Sequence, residues 1–459
     1  MFEIDFKKPI HVYFIGIGGI SMSGLAEILL SEGFRISGSD MKESDLTRKL
    51  ASMGAKIYYG QTVSHIDPSV DLVVYTAAIH ENNPEYISMK QWNIPHLSRA
   101  ELLGQLMRNY QYPIAISGTH GKTTTTSMVS EVLLAADTDP TLSIGGILKS
   151  INGNIRIGKS PYFVTEACEY TNSFLSFFPK IGIILNVEED HMDFFKDIHE
   201  IRESFHNFAK LLPQDGTLII NDEIEELDHI TRDLPCHVVR YGFTDDCDYY
   251  ATDISYDGQG YGSYTLIRKN FPSLRVSLSV PGLHNISNSL ATFALSDILQ
   301  LPFEGTLKAL KNFGGTQRRF EYKGQIGGVT IIDDYAHHPT EITATLTAAK
   351  NYPHHTLWCV FQPHTYTRTK AFLKEFALAL SRADKIILAD IYAAREINTL
   401  NISSVDLKKE IEKLGKECFY FPTFDEIENF LLQNSINGDL LITMGAGDIV
   451  KVGENLLGL

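Results

Sequence analysis

Cysteine is scarce in this sequence, with five thiols in 459 residues and no Cys-x-x-Cys pair. Both a disulfide framework and a cysteine-based zinc cluster need paired or closely spaced cysteines, so neither is expected. The five thiols, at positions 168, 236, 247, 359 and 418, are widely scattered and are interpreted as reduced.

Long apolar runs are missing as well. No uncharged apolar stretch approaches the roughly 18 residues that cross a membrane. The N-terminus has no basic segment followed by an apolar one, which is the pattern of a secretory leader. We therefore expect a cytoplasmic protein that has no membrane partner.

Positive charge is in deficit. The 40 lysines and arginines are outnumbered by 56 acidic residues, which gives a formal net charge of -16. This balance argues against nucleic acid as a partner, and any phosphorylated substrate then needs local positive sites. A chain of 459 residues is too long for one hydrophobic core and predicts two to four domains. A monomer and a homodimer are both compatible with these numbers.

The sequence does contain short apolar strands that alternate with helical patterns. Near the N-terminus, strands are predicted at 10–16, 34–37 and 72–75, with a helical segment after the first. Buried strands separated by helices predict an α/β fold with a parallel sheet covered on both faces. This Rossmann-like first domain is expected to span residues 1–112.

The alternation continues along the rest of the chain. A central domain is predicted over 113–316, with a parallel sheet and a small antiparallel addition over 236–280, where short aromatic strands alternate with Gly-rich turns. A Rossmann-like C-terminal domain is predicted over 317–459. Its strands are expected at 328–332, 356–361, 385–389 and 439–443.

The strongest chemical signal is a glycine loop at the start of the central domain, Gly118-Thr-His-Gly-Lys-Thr-Thr. A strand that ends in glycines and opens a helix presents backbone N–H groups and the positive end of the helix dipole to a phosphate. Lys122 would add charge for the outer phosphates of a nucleotide, and the Thr123 hydroxyl is placed as a magnesium ligand. Only two residues separate Gly118 from Gly121, where the common P-loop has four. The alternative, a glycine turn with a solvated lysine, leaves the threonines unexplained.

A second glycine cluster lies in the first domain, where Gly16, Gly18 and Gly19 follow the first strand. It is an imperfect dinucleotide-binding fingerprint, because a serine stands at position 21 where the third glycine would be. We interpret the cluster as a diphosphate cradle, with Ser39 and Asp40 nearby after the second strand. A tight turn between strand and helix is the alternative.

Acidic and imidazole groups follow two more strands of the central domain, Glu166 after 162–165 and His191 after 181–185. Since the carboxyl ends of parallel strands share one edge of a sheet, Lys122, Glu166 and His191 are predicted to meet there. Carboxylate and imidazole ligands, together with substrate phosphates, would hold one or two divalent cations, magnesium with tolerance of manganese. Taken alone, His191 fits a capping or core position.

Four further polar segments lie at 281–288, 315–321, 333–341 and 361–369. Composition alone favours helix capping for the first, and surface salt bridging is an even alternative to nucleotide contact for the second. The last two follow neighbouring predicted strands and are too polar for a core. We interpret them as a second-substrate pocket that faces the nucleotide.

These motifs together resemble the Mur ligase family, over almost the whole chain. The resemblance implies a first domain that binds a UDP-sugar, a central ATPase domain and a third domain that brings an amino acid. The motifs that carry it are Gly16-Ile-Gly-Gly, Gly118-Thr-His-Gly-Lys-Thr-Thr, Asp190-His-Met-Asp, Pro281-Gly-Leu-His-Asn, Arg318-Arg-Phe-Glu, Asp333-Asp-Tyr-Ala-His-His-Pro-Thr-Glu and Phe361-Gln-Pro-His.

The resemblance also implies an activity in peptidoglycan precursor synthesis. ATP would phosphorylate the lactyl carboxylate of UDP-N-acetylmuramate, and the amine of L-alanine would attack the acyl phosphate to give an amide, ADP and phosphate. A ligase of the same family that adds a whole tripeptide is the nearest alternative. A nicotinamide dehydrogenase would leave Lys122, Glu166 and His191 without a task, and a non-catalytic nucleotide sensor is a further alternative.

By the same resemblance, catalytic roles fall to Lys122, Glu166, His191 and Arg319, and the metal is expected on Thr123, Glu166 and His191. Asp334 is expected to hold the ATP ribose. The full set expected at ATP is Gly118, Thr119, His120, Gly121, Lys122, Thr123, Thr124, His284, Asn285, Asn288, Arg319 and Asp334.

Two further ligand sets are implied. His337, His338 and Arg368 would surround the alanine, with Arg368 pairing with its carboxylate. The UDP-sugar would be bound by Gly16, Gly18, Gly19, Ser39 and Asp40.

The chain departs from the family pattern at three places. Cys168 and Thr171 stand where aspartates are usual, which leaves Glu166 as the acidic residue carried over. Thr365 replaces a common second arginine beside the expected alanine site. His206 occupies the position of a lysine that is carbamylated in some relatives, so no modified lysine is expected.

Overall fold

The computed structural model describes residues 2–76, 78–269, 271–394 and 396–459. In these residues the strands form three separate sheets, which follow one another along the chain. No helix in this described part is long and apolar enough to cross a membrane.

The first sheet is parallel, with strand order β3-β2-β1-β4-β5. Its central strand is fully buried, because its five residues are covered by helices on both faces. The strand order reverses at β1, and ligands of such sheets bind beside that point. The elements are β1 (His11–Ile15), α1 (Ile20–Ser31), β2 (Arg35–Asp40), α2 (Asp45–Ser52), β3 (Lys56–Tyr59), β4 (Leu72–Tyr75), α3 (Pro84–Gln91), β5 (His96–Ser98) and α4 (Arg99–Met107).

The second sheet has the order β15-β14-β13-β12-β11-β10-β6-β9-β7-β8. Strand β6 lies between β9 and β10 and is parallel to both. The elements are β6 (Tyr112–Ser117), α5 (Lys122–Ala135), β7 (Thr141–Leu148), β8 (Gly153–Arg156), β9 (Tyr162–Ala167), β10 (Ile181–Ile184), α6 (Ile198–Ala209), β11 (Thr217–Asn221), α7 (Leu227–Thr231), β12 (His237–Gly242), β13 (Tyr249–Tyr256), β14 (Tyr261–Arg268), β15 (Leu274–Pro281), α8 (Leu283–Ile298) and α9 (Phe303–Asn312).

The predicted antiparallel addition over 236–280 is correct for β13, β14 and β15, which pair antiparallel in sequence. It is wrong for β12, which is parallel to β11. The short helix α7 lies between these two strands and returns the chain to the same end of the sheet, as a parallel connection requires.

The third sheet has the order β16-β17-β21-β18-β19-β20. Its edge strand β16 is antiparallel to β17, and the other pairs are parallel. The sheet is therefore mixed. The elements are β16 (Glu321–Ile326), β17 (Val329–Asp334), α10 (Pro339–Ala349), β18 (Leu357–Phe361), α11 (Tyr366–Ala371), α12 (Leu373–Leu380), β19 (Lys385–Leu388), α13 (Ser404–Lys413), β20 (Cys418–Tyr420), α14 (Phe424–Asn434), β21 (Leu440–Met444) and α15 (Val450–Leu457).

The first and second sheets share one continuous apolar core, in which Phe14 of β1 and Phe163 of β9 are both fully buried. Helix α4 makes the contact between them. A Cβ on its Gly104 would lie 1.9 Å from the carbonyl oxygen of Ser176, so only glycine allows this close approach. The carboxyl ends of the first and second sheets are thereby held near each other.

Candidate active site

The glycine loop follows β6 and opens α5. Gly118 and Gly121 adopt φ values of 145° and 82°, which glycine reaches without steric cost. A Cβ on Gly118 would lie 2.9 Å from the Cβ of Leu185, and one on Gly121 would lie 3.1 Å from Oδ1 of Asn288. Both glycines therefore serve a close approach as well as a turn, and the loop aims the N-terminus of a 14-residue helix at one point.

The Lys122 ammonium is held inside this loop. Its Nζ donates to the carbonyl oxygens of Gly118 and Thr119 and pairs with Oε2 of Glu169 at 3.0 Å. Burial alone would lower the pKa of Lys122, but the Glu169 carboxylate outweighs burial and the net pKa is raised. The side chain therefore keeps its charge over the physiological pH range.

Glu169 also faces His191. Its Oε1 lies 3.8 Å from Nε2 of His191, so one carboxylate lies between the lysine and the imidazole. Burial lowers the pKa of His191 more than the neighbouring carboxylates raise it, which leaves the ring neutral at pH 7 and able to bind a cation. Tyr170 packs its ring on the same imidazole, with 4.5 Å between ring centroids.

These contacts add Glu169 to the predicted set, and the placement of Glu166 beside Lys122 and His191 stays a prediction, because the Glu166 carboxylate also helps to raise the pKa of Lys122. Glu166 is still within β9, and its Oε1 accepts the N–H of Gly145 at 2.6 Å. Glu169 lies just past the strand, where the chain turns into a 3-10 segment, Tyr170–Ser176, that contains the left-handed residues Thr171 and Asn172. That turn, which composition does not reveal, brings the second carboxylate to the site.

The residues that the structure brings together fit a divalent cation. A carboxylate and a neutral imidazole face each other, and the Thr123 hydroxyl has no hydrogen-bond partner among the described residues. Oxygen and imidazole donors of this kind suit magnesium, and also manganese. His191 itself has a φ of 55°, a conformation that is uncommon outside glycine and is concentrated at functional sites.

A cavity of about 1000 Å³ opens beside the loop, between the second and third sheets. Its size falls in the range of small-molecule sites. Eight of the twelve residues predicted at ATP line it: His120, Gly121, Thr124, His284, Asn285, Asn288, Arg319 and Asp334.

Two of these cavity residues, Asp334 and His284, have pKa values that are shifted by burial. Burial raises the pKa of Asp334 to about 6, and its carboxylate accepts hydrogen bonds from Phe320 N, Ala336 N and the Thr345 hydroxyl. Burial lowers the pKa of His284 to about 4, so this imidazole is neutral at pH 7. A buried neutral imidazole offers hydrogen bonds without a charge.

His120 of the loop contacts the third domain. Its Nδ1 lies 3.2 Å from Glu341 and its Nε2 lies 3.6 Å from Glu188. Burial opposes the charge of this ring, but the two carboxylates outweigh burial and raise the pKa of His120 to about 9. His338 lies 4.6 Å from the same ring and contacts the Glu189 carbonyl. The sequence placed Glu341 in the polar segment 333–341 without its contact to His120, and it did not point to Glu188, because these contacts join segments far apart along the chain.

Arg368 makes a second contact between the domains. Its Nη2 donates to Oδ1 of Asp190 at 3.0 Å, and its Nη1 lies 3.2 Å from Nδ1 of His364. The partner of this arginine in the structure is thus a protein carboxylate beside His191. His337 lies nearby, with its ring 5.7 Å from that of His364, and burial lowers its pKa to about 4.

Three family models match this chain along most of its length. The model for the Mur ligase family, catalytic domain, matches residues 11–111, that for the Mur ligase middle domain 116–296, and that for the Mur ligase, glutamate ligase domain, 318–447. The UDP-N-acetylmuramate–L-alanine ligase of Agathobacter rectalis is 60% identical over 457 residues, which cover 100% of both chains.

The chain belongs to the Mur ligase family. Among solved structures, the UDP-N-acetylmuramate-alanine ligase of Thermotoga maritima is similar with a TM-score of 0.79 and 28% identity over 98% of both chains. A murein peptide ligase of Psychrobacter arcticus is similar with a TM-score of 0.70 and 26% identity, also over 98% of both. The family and the three-domain α/β fold predicted from the sequence are confirmed.

In this Mur ligase the first-domain glycine loop is held by the second strand. Gly16 N donates to the Ser39 carbonyl, and Gly18 N donates to Oδ2 of Asp40 at 2.8 Å. The placement predicted for Ser39 is corrected: its side chain is fully buried and its hydroxyl donates to Glu85, inside the domain. Ser39 stabilises the glycine loop through its carbonyl oxygen, which accepts the Gly16 N–H. Gly19 forms the N-terminal cap of α1.

Proposed function

We propose that this Mur ligase joins L-alanine to the lactyl carboxylate of UDP-N-acetylmuramate, with hydrolysis of ATP to ADP and phosphate. The observation that carries the proposal is the 60% identity, over the full length of both chains, to the UDP-N-acetylmuramate–L-alanine ligase of Agathobacter rectalis. The product is a precursor of peptidoglycan. The reaction is placed in the cytoplasm, where ATP is supplied.

The reaction needs a leaving group, because a free carboxylate is a poor electrophile. A carboxylate oxygen of the sugar nucleotide attacks the γ-phosphorus of ATP, the bond to the β-phosphate oxygen breaks, and ADP leaves. The amine of L-alanine then attacks the acyl carbon, loses a proton, and expels inorganic phosphate. Phosphoryl transfer of this kind depends on positioning and on charge stabilisation more than on covalent chemistry by the protein.

Lys122 and the N-terminus of α5 supply that stabilisation. The ammonium is fixed by the Gly118 and Thr119 carbonyls and by Glu169 before any nucleotide arrives, so little reorganisation is needed at the moment of reaction. Thr123, Glu166 and His191, with Glu169 beside them, would hold the divalent cation, which offsets the negative charge on the phosphoryl oxygens when it is bound. The Glu166 carboxylate accepts the Gly145 N–H.

The rest of ATP and the UDP-sugar are proposed to bind on opposite sides of the Lys122 loop. The cavity with His284, Asn285, Asn288, Arg319 and Asp334 supports binding of the ATP base and ribose between the central and third domains. We propose domain limits of 1–112, 113–316 and 317–459, with the UDP-sugar bound at the Gly16, Gly18 and Gly19 loop, helped by Asp40.

The amino acid is proposed to bind where His337, His338 and Arg368 meet the central domain. Arg368 would exchange or share its Asp190 contact with the alanine carboxylate, because the guanidinium has five N–H donors and three of them are engaged in the structure. Both histidines have a pKa lowered to about 4 by burial. They are therefore neutral and do not repel the incoming ammonium group.

A phosphate-release assay with UDP-N-acetylmuramate, ATP and a set of amino acids tests the proposal. L-Alanine is expected to stimulate phosphate release, and the tripeptide used by the related recycling ligases is not. Stimulation by the tripeptide and not by L-alanine would overturn the assignment in favour of that second activity. Omission of the sugar nucleotide is the control for uncoupled hydrolysis of ATP.

A further inference from the structure

Arg99 is a partly buried cation for which the described residues supply no acidic partner. It is the first residue of α4, and its Nη1 donates to the Ser21 hydroxyl at 3.1 Å. An arginine has five N–H donors in a fork that matches planar or tetrahedral anions. Burial of a guanidinium without an opposite charge destabilises the folded protein. A partly buried arginine that has no acidic partner therefore indicates that an anionic ligand binds beside it.

The groups around Arg99 do not provide that anion. Burial lowers the pKa of Arg99, and the Cys168 thiol is the one described titratable group that opposes this effect. Burial also raises the pKa of the Cys168 thiol, which keeps it neutral at pH 7. An arginine is not deprotonated in proteins, so the guanidinium stays charged. No carboxylate among the described residues compensates this charge.

Arg99 lies between the two glycine loops. Ser21, its hydrogen-bond partner, is two residues beyond Gly19 in the first turn of α1. Cys168, which is close enough to influence the pKa of Arg99, is the neighbour of Glu169 and thus of the Lys122 loop. Helix α4 is locked in this position by the contact of Gly104 with Ser176. The guanidinium is therefore close to elements that carry both loops.

We propose that Arg99 binds an anionic oxygen of the sugar nucleotide, on its diphosphate or on the carboxylate that is to be phosphorylated. This assignment rests on the proposed function. Both groups accept two parallel N–H bonds from a guanidinium. Arg99 would then hold the sugar nucleotide in the direction of Lys122, as a binding residue that acts before phosphoryl transfer.

The test is calorimetric binding of three ligands to the full chain and to Arg99→Met and Arg99→Lys. The ligands are UDP, UDP-N-acetylglucosamine and UDP-N-acetylmuramate, of which the last alone carries the lactyl carboxylate. Arg99→Met is expected to weaken binding by about tenfold to a hundredfold. A loss for all three ligands assigns the diphosphate, and a loss confined to UDP-N-acetylmuramate assigns the carboxylate. Arg99→Lys is expected to recover part of the affinity, since it keeps the charge and loses the fork.

Thermal unfolding separates binding from a structural role. Arg99→Met is expected to leave the Tm of the ligand-free protein unchanged or higher, because it removes an uncompensated charge. Arg108→Met is the matched control at the C-terminal cap of the same helix, at an exposed arginine paired with Glu3, and should bind all three ligands as the wild type does. A lower Tm with unchanged affinities would overturn the inference and make Arg99 structural.

The inference and the proposed function fail in different ways. If the wild type binds UDP-N-acetylmuramate and both Arg99 variants bind it within twofold of the wild type, Arg99 is not a ligand and the inference alone is wrong. If the wild type binds none of the three ligands, the proposed function falls and the inference with it. Should Arg99→Met not fold, Arg99→Lys decides by the same twofold criterion.

Discussion

The two glycine loops of this protein each join a parallel strand to a helix, but the cation near each loop comes from a different place. The loop at Gly16–Gly19 and the loop at Gly118–Gly121 each lie between a parallel strand and a helix of at least twelve residues. The second carries its own cation, Lys122, anchored by Glu169. The first has none, the Gly18 N–H donates to Asp40, and Arg99 of another helix donates to Ser21 just beyond the loop.

This difference fits a binding role for the first loop and a role in phosphoryl transfer for the second. A loop that only has to bind a diphosphate can use backbone N–H groups and an arginine from a neighbouring helix. A loop that has to stabilise a moving phosphoryl group needs a charge fixed in place before the reaction. The two loops are similarly constrained in space, since a Cβ on Gly118 would lie 2.9 Å from the Cβ of Leu185 and one on Gly18 would lie 2.7 Å from Oδ2 of Asp40.

The largest effect is expected from removal of the built-in cation. Lys122→Ala should reduce ligation by about a thousandfold or more, because the phosphoryl group loses its fixed positive charge. The measurement is phosphate release under saturating substrates, with Lys149→Ala as a control at an exposed lysine of the same domain. Wild-type turnover in Lys122→Ala would remove the distinction between the two loops.

The next effect distinguishes the two carboxylates near the second loop. Glu169→Gln is expected to lower kcat by about a hundredfold and to raise the magnesium concentration needed for activity, since Glu169 contacts both Lys122 and His191. Glu166→Gln is the matched variant and should cost less than about tenfold, because the neutral amide can still accept the Gly145 N–H. The reverse order of the two losses would show that Glu166 is the more important carboxylate of the site.

A smaller effect is expected in the first loop. Asp40→Ala removes the acceptor of the Gly18 N–H and should raise the KM for the sugar nucleotide about tenfold while the KM for ATP is unchanged. Asp45→Ala, at an exposed aspartate that begins α2, is the control. An equal rise of both KM values would mean that the two loops do not act separately.

The smallest effect concerns the stability of the second loop as the pH changes. The pKa of His120 is raised to about 9 in the folded protein, above the value of about 6.5 expected when the chain is unfolded. The stabilisation is therefore complete below about pH 6.5 and is lost as the pH rises through about 9. The Tm difference between wild type and His120→Gln should shrink over that range, while His199→Gln, at an exposed histidine, shows no such trend. A constant difference would contradict the interaction with Glu188 and Glu341.

Local patterns were enough to predict the loops and the strands that feed them. The apolar runs before Gly16 and Gly118 are short and buried, and the carboxyl ends of β6, β9 and β10 do lie side by side. The contacts of Glu169 could not be predicted, because only two residues separate it from Glu166 and the chain leaves the strand between them for an irregular 3-10 segment.

Contacts between distant segments were equally out of reach. The pairing of His120 with Glu341 and that of Arg368 with Asp190 depend on how the second and third domains meet, which no short-range pattern encodes. Ser39 was misplaced for a related reason. A hydroxyl at a strand end can face outward or inward, and here the buried carboxylate of Glu85 holds it inside.

The central claim is that the Lys122 loop transfers a phosphoryl group to the sugar carboxylate. It is tested most directly with UDP-N-acetylmuramate labelled with oxygen-18 in its lactyl carboxylate, turned over with ATP and L-alanine. Mass spectrometry of the released phosphate should find one labelled oxygen per molecule, because the carboxylate oxygen leaves with the phosphorus. Unlabelled phosphate, formed together with the amide product, would contradict the account.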